Sequence, residues 1–232
     1  VQNRDTSRQW LERAGFGSYA MQRRPRFGHA ATEELYRYWD RRRGTRPAPD
    51  RAEIEPGDIR TILPDTFILE VDETGRFFWR LAGTRVCAVH CRELKGRDFL
   101  SDWAGKERQT IQAVLDAIVR ESAVGIVQFE GRSQRDQSLA METVLLPLKV
   151  FGRTTCRVLG AVVTMEQPYW LGLYPPVSRR ITGLRMLWPS GQQSTEEAAA
   201  FGKRSEPPVT VMAGLEQIRR YRHLMVVDGG KS

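Results

Sequence analysis

An α+β domain built on an antiparallel sheet is the fold this chain predicts, and three features of the sequence carry it. Strand-like runs come as a pair at residues 66–71 and 77–82 and a trio at residues 123–130, 138–150 and 156–166, five strands in all. Links within each group are short enough for hairpins, whereas parallel neighbours need crossovers of about a dozen residues or more. Helical periodicity lies between the two groups and ahead of the first.

Taken in order, residues 1–31 form an arginine-rich arm with no sustained period, expected to be flexible. From Thr32, a residue that can cap a helix, Leu35, Tyr38 and Trp39 fall on one face while Arg37 and Arg41 to Arg43 point away, and Gly44 ends the segment. Pro56 opens a short helical turn that Pro64 terminates. TFILEV and FFWRLA then alternate with period two around a turn containing Gly75. Gly83 and Gly96 bracket a short helical stretch with Val86, Val89 and His90, and both are expected to supply positive φ at sharp turns. A long helix from about Trp103 to Glu121 aligns Ile111, Val114, Leu115 and Ile118. The three closing strands follow. An extension over residues 169–232 contains an aromatic segment, a linker over residues 190–208 and an amphipathic final stretch.

The 232 residues carry a formal charge of +8, and 41% are hydrophobic. Residues 1–51 hold 12 Arg against 6 Asp or Glu, which is +6 of that total, so the basic excess belongs to the leading segment and the remainder is nearly neutral. Such runs are most often solvated helix faces or arms, and nucleic-acid binding is the minority reading. No apolar stretch is long enough to span a bilayer and no secretion signal is evident, so the expected location is cytoplasmic. Cys87, Cys91 and Cys156 are an odd number and read as reduced thiols.

Catalytic chemistry finds little to stand on. His29, His90 and His223 are the only histidines, and the sequence holds no G-x-S-x-G elbow, no phosphate-binding G-x-x-x-x-G-K-[ST] loop and no H-E-x-x-H. Cys87 and Cys91 are spaced i, i+4 with His90 beside them, but the second ligand pair of a structural zinc site is missing, so no metal or catalytic residue is nominated.

Three passages together resemble a PAS domain, specifically the single-PAS-domain regulatory proteins of alphaproteobacteria formerly catalogued as a domain of unknown function. They are LYRYWDRRRG, IRTILPDTFILEV and RLAGTRVCAVHCRELKGRDFL, in that order within residues 32–168. The resemblance implies a five-stranded antiparallel sheet with short helices and one long helix on one face, preceded by an amphipathic helix and enclosing a small pocket. Residues expected to line that pocket are Phe78, Leu81, Val86, His90, Phe99, Val114, Ile118, Val127, Met141 and Leu159. The apolar residues among them suit a plain hydrophobic core first, because stripes at these periods build cores, and a lone histidine such as His90 is more often a satisfied structural residue. Some PAS domains hold haem through a histidine and others bind flavin beside an N-C-R-F-L-Q signature, which is absent here; the sequence argues against both, and the cofactor is left unknown.

The expected function is that of a non-enzymatic sensory or regulatory protein that binds a small molecule or a partner protein of a signalling pathway and signals through protein–protein contacts. Two alternatives remain open: a pure interaction module with a filled pocket, and a nucleic-acid-binding regulator using the basic arm. The stripe of Leu35, Tyr38 and Trp39 is expected to form a homodimer interface, unless the helix covers its own sheet instead.

Overall fold

The structure, a computed structural model, describes residues 26–150, 157–188 and 224–228. Residues 1–25 of the arm expected over residues 1–31, Cys156, His223 and the linker expected at residues 190–208 lie outside the described residues, whereas residues 26–31 of that arm are described. Helix α1 spans Ala30–Arg43, strands β1 and β2 span Thr66–Val71 and Phe77–Ala82, and helix α2 spans Thr84–Val89. Helix α3 follows at Gly105–Glu121, then β3 at Val124–Ser133, β4 at Ser138–Leu148, β5 at Arg157–Thr164, β6 at Pro176–Leu187 and β7 at Leu224–Asp228. Single 3-10 turns at Arg51–Glu53, Pro56–Ile59, Leu63–Asp65 and Phe99–Asp102 complete the description.

One antiparallel sheet organises all of this, in the order β2-β1-β5-β4-β3-β6-β7. The five expected strands form one contiguous block, but the described sheet has seven, which corrects the count. Beyond residue 168 the chain returns to the sheet: β6 pairs with β3 from Val124↔Leu187 to Ser133↔Pro176. Periodicity over residues 176–187 was masked because polar Ser178, Arg179 and Arg180 open the strand before the buried Leu184, Met186 and Leu187.

Helices cover both faces of the sheet: α2 and the long helix α3 share one face, as expected, and the preceding amphipathic helix α1 covers the other. On the inner face, α3 presents Ile111, Val114, Leu115 and Ile118 to Val127, Leu145 and their neighbours, all in one buried cluster. On the outer face, α1 packs over β4 and β5. The alternation of β-strand side chains sorts the sheet between these layers. Phe67, Leu69, Val158 and Val162 face α3, while Ile68, Leu159, Ala161 and Val163 face α1.

The placement of α1 decides between the two readings of its apolar stripe. Leu35, Tyr38 and Trp39 are buried against the chain's own sheet, with Leu35 and Trp39 fully so. The expected homodimer interface through these residues is therefore corrected: the stripe is already covered. Its attachment is also polar. The buried Glu142 carboxylate on β4 accepts hydrogen bonds from Gly28 N (2.8 Å), Thr32 Oγ1 (2.5 Å) and Gln128 Nε2 (3.0 Å), and Trp39 Nε1 donates to Pro147 O at 2.8 Å. The helix starts at Ala30 rather than Thr32, because His29 caps it by accepting the Ala31 N–H on Nδ1. The basic run is engaged as well: Arg42 pairs with Asp58, Arg43 with Asp40 and Arg46 with Glu53.

Of the two bracketing glycines, Gly96 has the expected positive φ of 79°. Gly83 does not: its φ is −68°, and it is required for another reason. A Cβ at Gly83 would sit 2.3 Å from the Pro64 carbonyl oxygen, so close backbone approach demands the missing side chain.

Candidate functional site

The inner layer converges on a polar cluster set among aromatic rings. Phe67 and Trp79 from the β1–β2 hairpin meet Phe99, with ring centroids 5.0 Å apart for Phe67–Trp79 and for Trp79–Phe99, and Trp103 meets Phe129 at 5.0 Å. These contacts lie in the preferred range for edge and tilted aromatic pairs. Beside them remains a small void of about 20 Å³, lined by Trp79, His90, Phe99, Asp102, Trp103, Phe129, Met141, Thr143, Val162 and Arg179. Space of that size admits about one water molecule.

Asp102 is the hub of the polar cluster. Its Oδ1 lies 2.6 Å from Arg92 Nη2, and its Oδ2 lies 3.4 Å from both His90 Nε2 and Arg179 Nη1. Arg179 also donates to the Asp102 backbone carbonyl at 2.6 Å and lies with its guanidinium carbon 5.5 Å from the Trp103 ring centroid. Burial alone would raise the Asp102 pKa, but the His90 contact and the Arg179 and Arg92 charges outweigh it and hold the carboxyl below its ordinary range. Burial acts on Arg179 in the opposite sense to its partner's charge and lowers its pKa. His90 Nδ1 lies 2.8 Å from Val86 O, so this nitrogen carries the proton that the carbonyl accepts. Two residues that line the same void, Trp79 and Thr143, each carry a buried polar atom, Nε1 and Oγ1, that has no hydrogen-bond partner.

A second concavity opens at the surface beside this cluster. It measures about 440 Å³ and is lined by His29, Asp65, Arg85, Ala88, Val89, Val162, Val163, Thr164, Gln167 and Leu171. The bidentate pair of Arg85 with Asp65, at 2.6 and 2.5 Å, forms part of its lining. Val162 lines both spaces.

The residues expected to line a pocket divide accordingly. His90, Phe99 and Met141 border the interior void. Val86, Val114, Ile118 and Val127 are buried in the same cluster but do not border it. The other three need correction. Phe78 and Leu81 lie out of phase on β2, where Phe77 and Trp79 point inward. A register irregularity opposite Ile68 and Leu69 leaves Arg80 without a partner in the ladder with β1 and Leu81 46% exposed. Phe78 is half-buried under the Arg76 guanidinium. Leu159 sits on the outer face beneath α1, because it pairs with Ile68 and Leu146, which point the same way.

Trp79, Asp102, Trp103, Phe129, Thr143, Val162 and Arg179 went unnamed by the sequence. The strand phase of Phe77 and Trp79 was the available signal for the first. Arg179 lies beyond the expected domain end and carries no sequence signal for its partner 77 residues away. Among the described residues no three His, Cys, Asp or Glu side chains gather as metal ligands. Burial raises the thiol pKa of Cys87 and of Cys91, which disfavours the reactive thiolate. No described helix is long and apolar enough to cross a membrane.

Comparison with known families supplies one match: the profile of the family described as PAS domain covers residues 27–163. No curated protein and no solved structure matches the chain significantly.

Proposed function

Because this chain belongs to the PAS domain family over residues 27–163, we propose that it is a non-enzymatic sensory or regulatory module that signals through protein–protein contacts. The observation that carries the emphasis on partner binding is the size of the interior void. Small-molecule pockets usually measure about 300–1,000 Å³; the interior offers about 20 Å³ between close-packed rings, and a space of pocket size, about 440 Å³, opens at the surface beside β5. A haem or flavin ring system does not fit there without unpacking Phe67, Trp79 and Phe99. The raised thiol pKa values leave Cys87 and Cys91 as poor nucleophiles, which supports the non-enzymatic reading.

A second reading rests on a separate observation. The unpartnered Trp79 Nε1 and Thr143 Oγ1 beside Arg179 suit a small molecule that presents a hydrogen-bond acceptor to the interior. Refolding distinguishes the two. The purified chain is unfolded in guanidinium, dialysed to remove any small molecule and refolded, and its melting temperature is compared with that of the untreated protein. A filled core returns to the same Tm, whereas a core stabilised by a retained ligand returns to a lower one.

A further inference from the structure

We propose that the open cleft between β5 and α2 is a docking site for an extended peptide segment of a partner protein, which would add a short strand to β5. This rests on the reading of the chain as a partner-binding regulator and names where the partner binds. Met165 N donates to Ala140 O at 2.9 Å, so the odd-numbered residues of β5 direct their backbone groups to β4. The even-numbered residues therefore turn theirs to the β1 side.

Val158 and Gly160 meet Leu69 and Phe67 there, but β1 pairing stops at Thr66↔Ala161. Asp65, the next residue back, belongs to a 3-10 turn and donates its N–H to Ile62 O. The carbonyl of Val162 and both backbone groups of Thr164 consequently point to a side where no strand of the described residues lies. That side is where the 440 Å³ cleft opens, with Val162, Val163 and Thr164 along it.

Its other walls suit a polypeptide. Ala88, Val89 and Leu171 supply apolar contact, and Gln167 with the Arg85–Asp65 pair supplies a polar lining. Three residues of β5 give an edge of about 10 Å at roughly 3.3 Å per residue. Backbone acceptors and donors repeating at that spacing are complementary to an extended main chain, and side-chain pockets on either side then select among sequences.

The test uses the full chain and peptides selected from a displayed random library, with Ala88→Trp as the counter-selected variant because Ala88 is exposed on α2 and faces the cleft. Thr164→Pro is the second variant: it deletes the outward N–H without removing a bond to β4. Selected peptides are resynthesised with alternate backbone nitrogens methylated, and binding is read by fluorescence anisotropy. The expected result is an affinity loss of about tenfold or more on N-methylation, and a comparable loss in both variants at unchanged Tm. The proposal is overturned by any of three results: no peptide enriched over the blocked variant, equal binding after N-methylation, or self-association through the cleft that Ala88→Trp abolishes. Failure here with an unchanged Tm after refolding leaves the broader reading intact, since the two experiments report on different spaces.

Discussion

Single residues set the tolerances of this core. Gly160 lies opposite Phe67, and a Cβ there would meet Phe67 Cζ at 2.2 Å, so the ring occupies the space that a side chain would need. Gly160→Ala should cost about 1–3 kcal/mol in urea denaturation, and Phe67→Leu in the same chain should recover part of that loss. Gly83→Val should cost a similar amount, about 1–3 kcal/mol, through collision with the Pro64 carbonyl and not through φ strain. Asp102→Asn removes the charge facing a nearly buried Arg179, and leaving such a cation unpaired costs about 3–5 kcal/mol. The pH dependence follows from the depressed folded-state pKa of Asp102. The pairing stabilises the fold above the unfolded value, near 3.9, and that contribution is lost as pH falls through the folded value. The stability gap between wild type and Asp102→Asn should be full at pH 7 and narrow only below about pH 3.9.

At the level of elements, α1 is part of the fold and not an appendage. Its stripe of Leu35, Tyr38 and Trp39 buries side chains worth about 1.5–3 kcal/mol each, and its N-terminal segment is tied to Glu142. Leu35→Asp should therefore unfold the chain. In sedimentation equilibrium, a variant that stays folded and merely changes from dimer to monomer would contradict this placement. The sequence made the helix and its apolar face legible through period 3.6, and the strands through period two. It did not reveal which layer each face would meet, because a stripe such as Leu35–Trp39 has the same pattern whether it covers its own sheet or a second copy. Strand phase was the other source of error. β2 reads as apolar at Phe77, Phe78, Trp79 and Leu81, and only pairing with β1 and the irregularity at Arg80 decide which of them turn inward. The site was legible as His90, Phe99 and Met141 and illegible as Asp102 and Arg179, whose meeting depends on β6 joining the sheet.

The whole molecule is a PAS core covered on one face by α1 and on the other by α3, with an interior closed by aromatic rings around a void of about 20 Å³ and a cleft open at the side of β5. Filling by aromatic rings favours binding at the surface over binding in the interior. It makes a further expectation about Met141, which is buried on the inner face at the void. Met141→Trp should destabilise the chain by about 1–3 kcal/mol in urea denaturation, since a void for one water cannot accept an indole without displacing its neighbours. Native mass spectrometry of the gently purified full chain should give the mass of the polypeptide alone, whereas a stoichiometric small-molecule adduct that Thr143→Val abolishes would mean that the interior holds a ligand.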